Sequence, residues 1–274
     1  MAAQESQFIA ALPMYDWPER RDVVDRQWAE VRRRLQAAGI DAPQQLVRRN
    51  ADMPGVPGGI QDADGNVIAP DPTTLDPDGL DLHTLWRHPS LLWAQTCWGP
   101  MGLGLARHVQ VIGEPDYSEV EGGDKEFYRS AVVARRTTDD VPVPSDGDPY
   151  LQLDRLRGKR LAFNSKDSMS GIIGLTHDLT AVHGTLDVFS ERLESGGHRQ
   201  SITAVAEGRA DVAAIDCLTW QLAKQFEPAA AELGVIGWTA RRKGLPFIAS
   251  RHIPSEIIDL VRSVESDHRL PPIL

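Results

Sequence analysis

Short apolar segments alternate with amphipathic helical segments along most of the chain, and this alternation restricts the fold more than any other sequence feature. An apolar run at 8–14 precedes a segment whose apolar residues recur at helical spacing. Those residues are Val24, Trp28, Val31 and Leu35. The same order of strand and then helix recurs at 210–226. Elements in this order form βαβ units, so we predict an α/β fold with mostly parallel sheets.

Other segments extend the pattern. Further strands are expected at 45–49, 91–97, 109–115, 127–136 and 233–239, and a last helix at 253–266. Residues 50–80 and 137–150 are rich in Pro, Gly and Asp and predict long loops. We expect 50–80 to be a surface excursion with little to pack, and a mobile flap is the alternative.

Charge and composition exclude several functional classes. The chain has 274 residues, 41% of them hydrophobic, and a formal net charge of -10. An excess of acidic residues argues against nucleic acid and against anionic membranes as partners. No dinucleotide-binding, P-loop, zinc-protease or nucleophile-elbow motif is present, so we expect no cofactor and no metal.

The two cysteines, Cys97 and Cys217, have neither a CxxC spacing nor a histidine at metal-ligand spacing. We expect two buried thiols, and a disulfide is the alternative. No apolar run reaches the roughly 20 residues that a membrane-spanning helix needs. The N-terminus lacks the positive start and sustained apolar stretch of a signal peptide, so either the protein is cytoplasmic or its export signal was removed.

The most informative segment is NSKDSMSG, at 164–171, where a predicted strand ends and a helix begins. A helix N-terminus offers unpaired N–H groups and a partial positive charge to an anion. Ser168 and Ser170 add hydroxyl donors, and Gly171 lets a ligand approach the backbone. The alternative is that Ser168 only caps its helix.

A second turn, SGGHRQS at 195–201, repeats this logic with His198 near the start of a helix. Asp216 ends the next strand and either faces the same edge or only caps the following helix. Because successive parallel strands end at one sheet edge, Ser168, Ser170 and His198 are expected to converge around an oxyanion. Asp216 would repel a fully ionised anion and favour a protonated one, or a ligand that also carries an amine or hydroxyl.

Three stretches, LRGKRLAFNSKDSMSG, SGGHRQSITAVAEGRADVAAID and GLPFIAS, resemble the substrate-binding proteins of phosphate, phosphite and phosphonate ABC transporters. The resemblance is strongest over about 125–250. It implies a type 2 periplasmic-binding-protein fold, with two α/β lobes joined by two crossover strands. Lobe 1 would combine 1–122 with 223–274, lobe 2 would be 123–222, and 127–136 would be the first crossover.

The resemblance also implies a function and a set of ligand contacts. The protein would be a monomer that closes on a small anionic ligand and delivers it to a transporter permease in the periplasm. Ser168, Ser170 and His198 would hold the oxyanion, and Asp216 would lie where an amine group can bind. Met169 stands where such proteins often have a hydroxyl residue, which removes one donor.

Two aromatic residues are candidates from the other lobe. Tyr15 and Trp98 each follow a predicted strand, and packing within the core is the alternative for both. An enzyme remains a second hypothesis, because Ser168, His198 and Asp216 are the residue types of an acyl-transfer triad. A cytoplasmic ligand sensor built on the same fold is the third.

Overall fold

The computed structural model describes residues 7–137 and 142–266. Strands are numbered in chain order as β1 Ile9–Ala11, β2 Ile60–Gln61, β3 Val67–Ala69, β4 Leu91–Gln95, β5 Val109–Gly113, β6 Gly123–Asp124, β7 Phe127–Tyr128, β8 Ser130–Arg135, β9 Arg160–Phe163, β10 Glu191–Glu194, β11 Val212–Asp216, β12 Leu233–Trp238, β13 Arg242–Lys243 and β14 Phe247–Ser250. Helices are α1 Arg21–Ala37, α2 Leu82–Arg87, α3 Trp98–Gly102, α4 Leu153–Leu156, α5 Gly174–Ala181, α6 His198–Ala206, α7 Cys217–Phe226 and α8 Ser255–Ser266.

The chain divides into two compact units. The first combines the N-terminal part up to Pro115 with the C-terminal part from Leu245 onward. Its main sheet has the strand order β1-β4-β14-β5. The apolar face predicted for α1 is confirmed, because all four residues at helical spacing are buried. Beyond this helix Gly39 has a φ of +85°, a left-handed conformation that suits the end of a helix.

The second unit runs from Asp116 to Gly244. Its main sheet has the order β10-β9-β11-β8-β12, and a small sheet has the order β13-β7-β6. Its two ends lie together, because a Cβ atom on Gly244 would be 2.2 Å from the Tyr117 ring. The Gly244 N–H also donates to the Glu126 carbonyl at 2.7 Å. The core contains Leu161, Leu175 and other apolar side chains.

The unit boundaries differ from those expected at 122/123 and 222/223. The second unit extends to Gly244 because β12 pairs with β8, and β13 pairs with β7. The segment 127–136, expected as the first crossover strand, lies inside this unit and forms two short strands in different sheets.

The two main sheets are mixed, which corrects the expectation of mostly parallel sheets. β1 with β4, and β9 with both β10 and β11, are parallel. In contrast, β14 and β8 run antiparallel to both of their neighbours. Neither strand is joined to a sheet neighbour by a direct strand–helix–strand crossover, the connection that imposes parallel direction.

Two predictions for the first unit were wrong. Residues 45–49 form no strand, and the Val47 N–H bond to the Ala10 carbonyl is the contact that ties them to β1. Residues 50–80 are more than a surface excursion with little to pack. Asn50, which is 4% exposed, accepts from the Asp81 N–H and donates to the Asp76 carbonyl, each at 2.8 Å. The loop predicted at 137–150 lies partly outside the described residues, at 138–141.

Candidate functional site

Three turns meet at one edge of the main sheet of the second unit. β9, β10 and β11 run in the same direction, so their carboxyl ends lie together. The turn after β10 is bonded to the end of β9 through Ser195 N–H to Phe163 O at 2.8 Å and Gly196 N–H to Asn164 O at 2.9 Å. The edge of this sheet therefore carries 164–171, 195–201 and Asp216.

The first turn is shaped by Ser168. Its hydroxyl accepts the Gly171 N–H at 3.0 Å and caps a single π-helical turn, Met169–Ile173, which continues into α5. Ser168 and Ser170 are 5% and 6% exposed, and their hydroxyl oxygens are 3.3 Å apart. Met169 is half-buried in the same turn. Ser168 therefore does cap its helix, as the alternative interpretation expected. Capping uses the hydroxyl oxygen as an acceptor, so the hydroxyl hydrogen can still be donated.

His198 joins this turn to the next one. Its Nε2 lies 2.7 Å from Ser170 Oγ and 3.5 Å from Asp216 Oδ2. Asp216 is 3% exposed, and its other oxygen caps α7 by accepting the Thr219 N–H at 2.9 Å. The residues Ser168, Ser170, His198 and Asp216, called the serine–histidine cluster below, therefore form one connected chain of polar groups.

The imidazole of His198 is neutral at pH 7. Burial lowers the pKa of His198 below its ordinary 6.5, although the Asp216 carboxylate acts in the opposite direction. A hydrogen on Nε2 is favoured, because that nitrogen faces the carboxylate and the Ser170 oxygen. When Ser170 accepts from His198, its own hydrogen is free to be donated, together with that of Ser168. The cluster thus offers hydroxyl donors beside one carboxylate.

The geometry does not match a nucleophilic triad. In such a triad the serine and the carboxylate bind opposite nitrogens of the histidine ring. Here Ser170 and Asp216 both face Nε2, and Nδ1 is buried without a hydrogen-bond partner among the residues that the structure describes. The carboxylate therefore cannot orient the ring for a serine at the other nitrogen.

Gly171 is required by the packing of the turn. A Cβ atom there would lie 1.9 Å from Asn164 Oδ1. That oxygen is buried and has no hydrogen-bond partner within 7–137 and 142–266. Asn164 was not among the predicted site residues, although its position at the end of a buried strand was a usable signal.

A buried ion pair fixes the helix that follows the turn. Asp178, on α5, is 7% exposed and forms a salt bridge with Arg242. Asp178 also accepts the Ala240 N–H at 2.7 Å, and Arg242 donates to the Gly174 carbonyl at 2.9 Å. These contacts attach α5, at Gly174 and again at Asp178, to the segment that contains Ala240 and Arg242. Sequence reasoning missed them because their partners are 62 and 68 residues apart.

The two aromatic candidates belong to the first unit. Tyr15 follows β1 and is 2% exposed. Trp98 begins α3 and packs against the core that contains Leu85 and Leu105. Packing, the alternative expected for both, therefore accounts for at least part of their role. Neither Cys97 nor Cys217 forms a disulfide within the described residues, so the disulfide alternative is not realised.

The fold and the cluster define a binding protein of the two-unit α/β class. A family model described as the phosphonate ABC transporter periplasmic substrate-binding protein matches residues 105–264. This match covers more than half of the chain, and the chain belongs to this family. The family assignment and the type 2 periplasmic-binding-protein fold predicted from the sequence are therefore confirmed.

Solved structures agree with this fold. PhnD1 from Prochlorococcus marinus, in complex with methylphosphonate, is similar with a TM-score of 0.60 at 16% identity, over 94% of this chain and 83% of that one. A binding protein component of an ABC phosphonate transporter from Pseudomonas aeruginosa gives 0.59 at 14% identity, over 95% and 74%. A protein from Xanthomonas citri bound to chloride ion gives 0.56 at 14%, over 94% and 83%. No curated protein matches the sequence.

No helix in the described part of the chain is both long enough and apolar enough to cross a bilayer.

Proposed function

We propose that this chain captures a small phosphonate or a closely related oxyanion in the periplasm and delivers it to an ABC transporter permease. Family membership supports the role, and the serine–histidine cluster supports the ligand chemistry. The single observation that carries the proposal is the convergence of Ser168, Ser170 and His198 within hydrogen-bond distance at the carboxyl edge of one sheet. Ligands of open α/β sheets bind at such edges.

Each residue of the site has a proposed role. Ser168 and Ser170 donate their hydroxyl hydrogens to the oxyanion, Gly171 lets it approach the backbone, and His198 holds the Ser170 hydroxyl in the donating orientation. Met169 supplies no hydroxyl, so the oxyanion receives one donor fewer from this turn. Tyr15 and Trp98 are the proposed contacts from the first unit.

Asp216 sets the charge that the ligand must carry. Its carboxylate, 3% exposed and 3.5 Å from His198, disfavours a second full negative charge nearby. The proposed ligand is therefore a singly charged phosphonate or one that also carries an amine. An aminoalkyl phosphonate should bind more tightly than methylphosphonate, and Asp216→Asn should remove that difference.

Calorimetric titration tests the proposal. Loss of one buried donor costs about 1–3 kcal/mol, so Ser170→Ala and His198→Ala should weaken methylphosphonate binding by roughly tenfold or more. His177→Ala is the matched control, because His177 is exposed on α5 and lies outside the cluster. Wild-type affinity in both cluster variants would contradict the assigned roles, and absence of binding by the wild-type protein would contradict the ligand class.

A further inference from the structure

Arg20 is a buried arginine, and two of its guanidinium nitrogens have no hydrogen-bond partner in the part of the chain that the structure describes. It ends the short 3-10 turn Pro18–Arg20, in the loop between β1 and α1, and is only 3% exposed. Its Nε and Nη2 atoms are buried and have no hydrogen-bond acceptor among residues 7–137 and 142–266. These two nitrogens have lost their hydration without gaining hydrogen bonds from the described residues in return.

Three carboxylates near Arg20 in the sequence, those of Asp16, Asp22 and Asp25, are engaged with other arginines. Arg48 binds Asp16 at 2.6 Å and Asp25 at 2.9 Å, and Arg26 binds Asp22 at 2.8 Å. Burial lowers the pKa of Arg20, and the Asp22 charge opposes this only in part. The Arg20 charge is therefore buried and not neutralised by an ion pair with these acids.

The residue type and its position both point to an anion. A guanidinium presents a planar fork of N–H donors that matches a carboxylate or phosphonate group. Arg20 follows the carboxyl end of β1, the side of an α/β sheet on which ligands bind. The serine–histidine cluster contains no arginine or lysine, so Arg20 would supply a chemistry that the cluster lacks.

We propose that Arg20 binds an oxyanion group through its Nε and Nη2 atoms. This group is either a free anion or an acidic group of the captured ligand, since both offer the same paired oxygens. The case of a free anion does not depend on the function proposed for the cluster, whereas the case of a captured ligand rests on that function.

Thermal unfolding of the intact protein tests the proposal. Melting temperatures are measured with and without inorganic phosphate, sulfate, methylphosphonate and phosphonoacetate, for wild type, Arg20→Met, Arg21→Met and Ser170→Ala. Arg21 is the exposed neighbour of Arg20 and serves as the matched control. We expect at least one anion to raise the wild-type melting temperature, Arg21→Met to keep this rise and Arg20→Met to lose it. Without anion, Arg20→Met should melt at the same temperature or higher, because it removes an uncompensated buried charge.

The anion-dependent rise decides the outcome. A full rise in Arg20→Met, or no rise in the wild type with any of the four anions, overturns the proposal. If Arg20→Met does not fold, Arg20→Lys replaces it. The fork is then lost while the charge remains, so we expect roughly tenfold weaker binding, and unchanged affinity overturns the proposal.

Ser170→Ala separates the two proposals. Loss of the rise in Arg20→Met alone means that Arg20 binds a free anion and that the cluster role fails for these probes. Loss in both variants means that stabilisation by the anion requires both residues, which supports both proposals. Loss in Ser170→Ala alone leaves the cluster role standing and overturns the role of Arg20.

Discussion

Replacing Gly171 by alanine is the sharpest perturbation of the serine–histidine cluster, because it adds one methyl group at a defined place. The new Cβ would lie 1.9 Å from Asn164 Oδ1 and 3.2 Å from Ser168 Oγ. An ordinary contact begins at 3.4 Å, so the Asn164 amide must move by roughly 1.5 Å or the turn must open. The φ of Gly171 is outside the left-handed region, so this collision is the main source of strain.

The expected cost follows from overpacking a buried site. Such changes cost about 1–3 kcal/mol, and each kcal/mol lowers the melting temperature by about 2–4 °C in chains of 150–250 residues. We therefore expect Gly171→Ala to melt roughly 2–12 °C below wild type. Because the displaced turn carries Ser168 and Ser170, methylphosphonate binding should weaken by about tenfold or more.

Calorimetry measures both effects, with two comparisons. Gly102→Ala is the control, because a Cβ atom on Gly102 meets nothing within 4 Å. Asn164→Ala removes the colliding amide, so adding Gly171→Ala to that variant should cost much less than it costs in wild type. A melting temperature within about 1 °C of wild type for Gly171→Ala, or an equal cost in both backgrounds, would refute the reasoning.

Three further predictions concern the buried ionisable side chains of Asp178, His88 and Cys217. Asp178→Asn leaves Arg242 without its carboxylate, so it should lower the free energy of unfolding by about 3 kcal/mol in a denaturant titration. A change below about 0.5 kcal/mol would contradict a stabilising role for this ion pair. Burial lowers the pKa of His88, so stability should fall as pH drops below 6.5, and His88→Gln should lose less stability between pH 7.5 and 5.5 than wild type, as tested by urea unfolding. Burial raises the pKa of Cys217, so iodoacetamide at pH 8 should label the half-buried Cys97 and spare Cys217 in the folded protein, and equal labelling would contradict this.

Local patterns predicted the parts of the fold that local physics decides. The apolar face of α1 followed from helical periodicity, because one side of the helix meets the core along its whole length. The strand β11 followed from its continuous apolar content, because both of its faces are buried. The cluster followed from strand-to-helix turns at successive strands, because parallel strands end at a common edge.

Long-range hydrogen bonding decided what the sequence pattern could not. The strand expected at 45–49 does not form, and Arg48 in this segment binds Asp16, 32 residues away, at 2.6 Å. The loop at 50–80 is organised by Asn50, whose partners are 26 and 31 residues away. A charged residue just before an amphipathic helix is usually exposed, so the sequence gives no sign that Arg20 is buried. Its burial is visible only in the folded chain.

Tyr117 and Gly244, near the two ends of the second unit, lie next to each other. The second unit is the single stretch from Asp116 to Gly244, so one continuous part of the sequence specifies the whole serine–histidine cluster and the sheet that supports it. Because this stretch starts and finishes at neighbouring points, it can be exchanged as a unit without separating the parts of the chain on either side. A single recombination event that replaces this stretch would transfer every cluster residue together. Under the proposed function, exchange of this one segment would change the cluster's contribution to ligand preference while the remainder of the gene is kept.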